Sequence, residues 1–303
     1  VTDLAARPLR TVLVDAERRL AAAGVPDPRV DSELMLAKVL DVSRTRLVLS
    51  NDVDSSELGR FEIMVARRAS RVPLQHILGE APFRYRMLQV GRGVFIPRPE
   101  TEIVTEAGIR ALRATSTPAP IAVDLCSGSG SVALALATEV AEATVYAVEL
   151  AADAVTWLIR NVEQAQAELV AVRSVVHVVH ADAGTVHEQE LSELVGLVDV
   201  VVCNPPYIPA GALPRDPEVR EFDPPVALYG GDDGLDVVRA IAISAAALLR
   251  PGGTLVVEHG DAQGTSAAEA GVPFVLRDNG SYDQVNDRVD LVGRDRFTMA
   301  VRR

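Results

Sequence analysis

The stretch VDLCSGSGSVALALA, residues 123–137, changes character twice. VDL is apolar and strand-like, CSGSGS is a run of small residues, and VALALA favours a helix. Strand, tight turn and helix in that order open a βα unit. The small residues let the backbone approach a ligand closely, and the helix N-terminus faces it. Gly128-x-Gly130-x-x-Ala133 meets the relaxed dinucleotide pattern. The pattern alone is weak, because any tight turn between a strand and a helix resembles it.

The surroundings strengthen it. Strand-like runs recur at 121–125, 144–149, 175–180, 198–203 and 254–259, with helical runs between them at 130–140, 152–166 and 234–249. Alternating β and α predicts a doubly wound, mostly parallel Rossmann-like sheet. GVPFVLRD (271–278) and RFTMAVRR (296–303) are expected to add an antiparallel pair. Glu149 ends the second strand, nineteen residues after Gly130, where an acidic side chain reaches ribose hydroxyls. Asp182, in VVHADA at the end of the third strand, is a candidate for the adenine side, with a turn-forming role as the plain alternative. Nicotinamide cofactors and S-adenosylmethionine both fit this loop and these acids.

Upstream, residues 1–80 read as a helical bundle. LRTVLVDAERRLAAAG (9–24), DPRVDSELMLAKVLDV (27–42) and SSELGRFEIMVARRASR (55–71) carry apolar residues at helical spacing, with Asp31 or Ser32 near the start of the second and serines at the start of the third. Residues 81–98 read as a linking β-hairpin: FRYRMLQV alternates, GRG (91–93) turns, and VFIP is short and apolar. Residues 99–303 form the α/β domain, entered through a helix with Pro99 near its first turn. Such bundles often dock substrates; a stable cap is the plainer role.

Composition narrows the partners. Of 303 residues, 48% are hydrophobic, enough for a sizeable core, yet no run approaches the roughly 20 apolar residues of a membrane span. The first residues show no h-region and cleavage site, so no secretory leader is expected. The net charge of −12 argues against broad tracking along nucleic acid. Cys126 and Cys203, the two cysteines, suit a reducing cytoplasm and make neither a disulfide framework nor a zinc pattern. They sit at the ends of adjacent expected strands, so their thiols are expected to be reduced neighbours. His177 and His180 lie three apart on one strand and point to opposite faces, a poor metal pair. The acidic run GGDDGLD (230–236) lacks the spacing of a calcium loop and reads as a turn.

One segment asks for chemistry. VDVVVCNPPYIPA (198–210) ends a buried strand in Asn204, Pro205, Pro206 and Tyr207. Those four in order arise by chance in about one chain in a thousand of this length. They fall at the carboxyl end of a strand, the edge that carries ligands in open α/β sheets.

Together, NPPY, CSGSGS and the preceding VFIPRPETE (94–102) resemble the release factor glutamine N(5)-methyltransferases. RRASRVPLQHILGEAPF (67–83), LYGGDDGLDVVRAI (228–241), LRPGGTLVVEHG (249–260) and VDLVGRDRF (289–297) extend the resemblance over nearly the whole chain. NPPY alone is shared with adenine-N6 DNA methyltransferases; IPRPETE with a helical N-terminal domain is more specific. The resemblance implies a class I methyltransferase fold behind a helical substrate-docking domain. It implies S-adenosylmethionine as cofactor, S-adenosylhomocysteine as product and no metal. The implied substrate is the glutamine of the Gly-Gly-Gln motif in peptide chain release factors, which would modulate translation termination. A cytoplasmic protein with no stable nucleic-acid or membrane partner is expected, with a monomer as the expected state, although the sequence does not fix the oligomeric state.

Carried onto this chain, Cys126, Ser127, Gly128, Ser129 and Gly130 form the cofactor loop and Glu149 takes the ribose. Asp182 and Ala183 border the adenine, and Asn204 adjoins the cofactor. Asn204, Pro205, Pro206 and Tyr207 hold the glutamine, with Asn204, Pro205 and Tyr207 acting in catalysis. Two departures stand out. Cys126 replaces the family's usual first glycine although a side chain disfavours positive φ. Ala183 replaces the frequent aromatic residue that packs on adenine.

The chemistry is coherent. An amide nitrogen is a poor nucleophile because its lone pair is delocalised. The Asn204 side-chain oxygen and the Pro205 carbonyl can accept its two hydrogens, while the prolines fix the directions. Arg98, Glu100, Thr101 and Glu102 are expected to line the same cleft, with helix capping the alternative for Glu100 and Thr101; Phe95 covers a pocket or fills the hairpin core. Two rivals retain the motif: an adenine-N6 methyltransferase, with Tyr207 stacking on a flipped base, and a ribosomal-protein glutamine methyltransferase. A nicotinamide-dependent oxidoreductase leaves NPPY without a role.

Overall fold

The computed structural model describes residues 6–49 and 51–303, which divide into two compact units. One takes the described chain up to Glu80 together with Pro214–Phe222; the other takes Ala81–Leu213 and Asp223–Arg303. No helix among the described residues is long and apolar enough to cross a membrane.

The first unit is built from helices Leu9–Ala22, Pro28–Leu40, Ser55–Ala69 and Leu74–Leu78. Val12, Leu20, Met35, Leu36, Leu58, Phe61 and Val65 fill its core. The helix Ser55–Ala69 is capped by Asp54 rather than by a serine. The Asp54 carboxylate accepts from Glu57 N, and Glu57 returns a bond to Asp54 N, satisfying two otherwise orphaned donors. The second helix begins at Pro28, so Asp31 lies inside it and is buried against Arg68 (2.7 Å). The late segment Pro217–Phe222 is tied into this unit by Glu218, which accepts from Arg68 (2.8 Å) and from two nitrogens of Arg71 (2.7 and 2.6 Å). Against the desolvation that would raise it, the Arg71 and Arg68 guanidinium groups hold the Glu218 carboxyl at about 2.

The second unit carries a seven-stranded sheet: β1 Ile121–Leu125, β2 Thr144–Glu149, β3 Val175–His180, β4 Val198–Cys203, β5 Leu249–Glu258, β6 Tyr282–Val289 and β7 Asp295–Arg302. Their order is β6-β7-β5-β4-β1-β2-β3. The five strands from β5 to β3 are parallel, and β7 and β6 join antiparallel. Apolar residues cover both faces. Val123, Leu125, Val201 and Val257 pack on one side and Ala122, Val145, Val200 and Val202 on the other. Every residue of β4 is buried, as a central parallel strand requires. The order reverses between β1 and β4, and a ligand crevice opens at such a switch point, beyond the carboxyl ends of those strands.

Two sequence readings need correction. GVPFVLRD is not a strand: Val272–Asp278 is a helix, with Gly271 before it and Pro273 in its first turn. Val272 and Leu276 are buried four apart, a helical spacing that a short apolar run conceals. Its place in the antiparallel pair is taken by Tyr282–Val289. The hairpin pairs Glu80–Phe83 with Arg86–Gln89, so it turns at Arg84, not at GRG. Arg84 holds φ 51° and is anchored by Glu139 and Glu106. The glycines of GRG serve packing: a Cβ on Gly91 would fall 2.4 Å from Trp157, and one on Gly93 would fall 2.7 Å from Asp153.

Candidate active site

The loop after β1 takes its shape from three residues with positive φ: Cys126 (64°), Gly128 (55°) and Gly130 (85°). Cys126 thus holds the left-handed conformation that a glycine adopts freely, at a cost of about 1–2 kcal/mol. A Cβ on Gly130 would fall 2.5 Å from Leu158 Cδ1, so this glycine permits close packing against the helix Ala152–Gln164. A Cβ on Gly128 would meet nothing within 4 Å, so open space lies beside that backbone. Ser127 N donates to Val148 O (2.9 Å) and Gly130 N to Ser127 O (2.8 Å). Ser129 is buried, and its hydroxyl has no hydrogen-bond partner. Beneath the loop, Asp124 accepts from Ala133 N (3.0 Å) in the first turn of the helix Ser131–Glu139. Burial raises its carboxyl to about 7, despite the favourable bonds from Ser127 and Ala133.

Glu149 ends β2 with both oxygens engaged on backbone: Oε2 accepts from Gly128 N and Oε1 from Ala151 N, each at 2.8 Å. The carboxylate therefore braces the loop and the start of the next helix while keeping lone pairs uncommitted. Asp182 is exposed and accepts from Gly184 N (2.8 Å), forming a turn. Ala183 is buried in the core beside Val186 and Leu191. The two histidines of β3 go separate ways: His177 stacks on Tyr146 (4.9 Å), and His180 Nε2 meets the Leu150 carbonyl (3.0 Å).

NPPY leaves the end of β4. Leu125 and Cys203 are register partners, so the cofactor-type loop and NPPY emerge side by side on either side of the switch point. Cys126 and Cys203 are free thiols. Burial, and then the Cys126 thiol beside it, pushes the Cys203 thiol up. Asn204 turns Nδ2 to the Thr101 hydroxyl (3.2 Å), and no described residue donates to its Oδ1. Thr101 reaches it because Gly108, two turns further along the helix Thr101–Arg113, lets that helix rest on β4. A Cβ there would fall 2.6 Å from Val202.

The loop beyond Asn204 is gripped by backbone. Gln263 Nε2 donates to Tyr207 O (3.0 Å), Ile208 N to Leu228 O and Gly230 N to Ile208 O (2.9 Å each). Gly230 and Gly234 lie so close that a Cβ would stand 2.4 Å from Pro206 O and 2.3 Å from Tyr207 O. GGDDG is therefore a clamp on NPPY as well as a turn. Tyr207 is half-buried, and burial raises its phenol above the ordinary value, with Glu258 adding to the effect. Arg98 lies over the Phe95 ring (4.8 Å) and bonds Asp223 (2.5 Å), whose carboxyl burial raises to about 6. Sequence reasoning did not find Gln263, Gly230, Gly234 or Glu258. Their signal lay in the later blocks that resemble the family, without a pattern that declared a role.

Residues 11–79 match the family described as PrmC N-terminal domain, and residues 77–216 match Conserved hypothetical protein 95. The release factor glutamine methyltransferase of Streptomyces coelicolor is 45% identical over 289 residues, covering 95% of this chain and 96% of that protein. The 4-amino-L-phenylalanine/4-methylamino-L-phenylalanine methyltransferase of Streptomyces pristinaespiralis is 37% identical over 293 residues, covering 94% and 92%. Among solved structures, the Thermus thermophilus 16S rRNA N2 G1207 methyltransferase, in complex with AdoMet and guanosine, aligns with a TM-score of 0.50 at 22% identity. That alignment covers 74% of this chain and 50% of that one, a likeness of fold.

Proposed function

The chain belongs to the release factor glutamine methyltransferase family, and from that premise we propose that Asn204, Pro205 and Tyr207 carry the methylation of a protein glutamine. The enzyme transfers a methyl group from S-adenosylmethionine to the side-chain nitrogen of the glutamine in the release factor Gly-Gly-Gln motif. The observation that carries the residue assignment is the free Asn204 Oδ1, held by the Thr101 contact at the ligand edge of β4.

The residues present fit the cofactor. Open space beside Gly128, the orphaned Ser129 hydroxyl and the spare lone pairs of Glu149 supply room and polar partners. When bound, S-adenosylmethionine supplies a methyl on a sulfonium, from which the neutral thioether of S-adenosylhomocysteine would be an excellent leaving group. The backbone of Cys126 to Gly130 would line it, Glu149 would take the ribose hydroxyls, and Asp182 and Ala183 would border the adenine.

The chain's own task is to make an amide nitrogen reactive. Asn204 Oδ1 and the Pro205 carbonyl accept the two amide hydrogens, which favours a more tetrahedral nitrogen with its lone pair aimed at the methyl. Pro205 and Pro206 restrict the backbone and keep those acceptors still. Tyr207, kept as a neutral phenol, packs on the flat amide and excludes water. A strong base is not required, because an N-alkylated, protonated amide sheds its proton readily. Catalysis rests on positioning and fixed dipoles. The helical unit, which exposes Val48, Leu49 and Ile63, serves as the docking surface for the release factor.

The test is radiolabelled methyl transfer to purified release factor. Its Gln-to-Ala variant, an adenine-containing duplex and a small aryl amine serve as competing acceptors. Label is expected on the wild-type release factor and not on its variant. Asn204→Asp should lower kcat by roughly 10²–10³-fold, on the scale of losing one fixed catalytic dipole. Binding of S-adenosylhomocysteine should change little. Label only on the duplex or the aryl amine would reject the glutamine assignment, and near-normal turnover by Asn204→Asp would reject the role of that residue.

A further inference from the structure

Just beyond β5 the chain makes the turn Gly260–Gln263, and this turn backs the NPPY loop. Gln263 N closes it by donating to Gly260 O (3.0 Å). The Gln263 side chain curls back, Oε1 accepting from Gly260 N (3.1 Å), and its Nε2 donates to Tyr207 O (3.0 Å). A backbone N–H only donates and a carbonyl only accepts, so the polarity of this amide is fixed from both ends. Gly260 also lies against the ring of the same tyrosine: a Cβ on it would stand 3.7 Å from Tyr207 Cδ2. The turn therefore meets Tyr207 twice, at its carbonyl and at its ring.

Bonds within the turn give it a shape but do not fix its place. Main-chain bonds hold its flanks, from His259 N to Arg296 O (2.9 Å) and from Val272 N to Gln263 O (2.7 Å). The Gly260 carbonyl itself is held by the His259 ring, whose Nδ1 lies 2.9 Å from Gly260 O. A carbonyl only accepts, so this Nδ1 carries a hydrogen. The other end of the ring is pinned to the two antiparallel strands. Nε2 stands 3.0 Å from Asp287 Oδ1 on β6 and 3.2 Å from the Thr298 hydroxyl on β7. Asp287 is held in turn, its Oδ2 accepting from Thr265 N (2.5 Å). The His259 side chain is fully buried and that of Asp287 is 6% exposed, so water does not compete for these bonds. The methyl-transfer scheme above gives none of these groups a part.

We propose that His259 is a positioning residue for methyl transfer: its Nδ1–H holds the Gly260 carbonyl, and through Gly260 it sets the place of Tyr207 against the substrate amide. Asp287 and Thr298 keep the ring from turning away. The antiparallel strands thereby reach the catalytic loop, although neither contributes a residue to NPPY. The inference rests on the reading of Tyr207 as the group that packs on the glutamine amide.

The experiment compares wild type with His259→Asn, His259→Gln, Gln263→Ala and the double variant His259→Gln/Gln263→Ala. Each is assayed for kcat and KM on release factor, for S-adenosylhomocysteine affinity and for thermal midpoint. An asparagine NH₂ falls near the place of Nδ1 and can still reach Gly260 O. A glutamine NH₂ falls near the place of Nε2, so it keeps Asp287 and abandons Gly260 O. Both variants lose one of the two anchors, and both should lower the thermal midpoint. Only His259→Gln should lower kcat strongly, by roughly 10–100-fold, up to the scale of a 1 Å misplacement. His259→Asn should keep kcat within about fivefold of wild type. KM and S-adenosylhomocysteine affinity should stay within about threefold throughout, because the loop at Cys126 to Gly130 is untouched. Since His259 and Gln263 act on the same tyrosine, the double variant should be no more than about threefold slower than the slower single variant.

Wild-type kcat in His259→Gln overturns the proposal. So does a His259→Asn as slow as His259→Gln, since activity would then follow stability alone, or a double variant whose losses multiply. Should His259→Gln fold poorly, the imidazole ¹⁵N spectrum of the wild-type enzyme still decides, its His259 signals assigned by their absence from His259→Asn. A hydrogen on Nδ1 is expected, and a bare Nδ1 overturns the proposal. A wild-type enzyme that leaves the glutamine unmethylated, or a fully active Tyr207→Ala, would instead overturn the underlying assignment.

Discussion

Replacing Gly234 by alanine would drive a methyl group into the backbone that carries Asn204. Gly234 holds φ +78°, and an L-residue there costs about 1–2 kcal/mol. The added Cβ would stand 2.3 Å from Tyr207 O, 2.9 Å from Gln263 Nε2 and 3.1 Å from Pro209 N. The nearest contact is short of ordinary van der Waals separation by about 1 Å. Gln263 can swing aside, but its Nε2 is the donor that holds Tyr207 O, so its retreat frees the same carbonyl. The displacement therefore passes to Tyr207, three residues from Asn204 in the sequence. Overpacking adds about 1–3 kcal/mol, for a total destabilisation of about 2–5 kcal/mol. A shift on the order of 1 Å in a positioned catalytic group lowers kcat by about 100-fold. Denaturant unfolding measures the first effect and methyl transfer to release factor the second. Binding of S-adenosylhomocysteine is the control, because the loop at Cys126 to Gly130 is untouched. The reasoning is refuted if stability falls as expected while kcat stays within about threefold of wild type. The clamp would then yield without moving Tyr207.

Glu149→Gln places an amide NH₂ against Gly128 N or Ala151 N, two donors that now face a carboxylate. A bond to a charged group is worth about 1.5–3 kcal/mol, so titration calorimetry should show S-adenosylhomocysteine affinity lower by roughly 10–100-fold; unchanged affinity would remove Glu149 from the cofactor site. Asp124→Asn tests the buried carboxyl beneath the loop. Its folded value of about 7 lies above the ordinary 3.8, so its contribution to stability is complete below about pH 4 and is lost as the pH rises through about 7. At about pH 8 the asparagine variant should be the more stable, by up to about 4 kcal/mol, with the advantage vanishing near pH 4. Urea unfolding at both values checks the sign, and an advantage independent of pH would contradict it.

The sequence alone determined the parts governed by local covalent rules. Glycines and small residues between an apolar run and a helix-forming run mark the turn at 126–130, and the prolines of NPPY mark where β4 must stop. Alternation of strand and helix then dictates a parallel sheet, whose switch point places both motifs on one edge. Cys126 shows how far this extends: it stands where the family's usual glycine would, and it sits at φ 64° although a side chain disfavours positive φ. Where local signals are ambiguous, reading failed. A five-residue apolar run such as VPFVL (272–276) can be strand or helix, and Val272–Asp278 took the helix because the buried Val272 and Leu276 lie four apart. The hairpin turned at Arg84, where tertiary ion pairs hold a conformation that no local pattern announces.

What surrounds Asn204 was decided by tertiary structure. Thr101 lies 103 residues before it, and Gln263 lies 56 residues after Tyr207. They meet because β5 lies beside β4 and because Gly108 lets a helix settle on Val202. Contacts of that range depend on strand order and on one glycine's lack of a side chain. No period or propensity in a one-dimensional string encodes them.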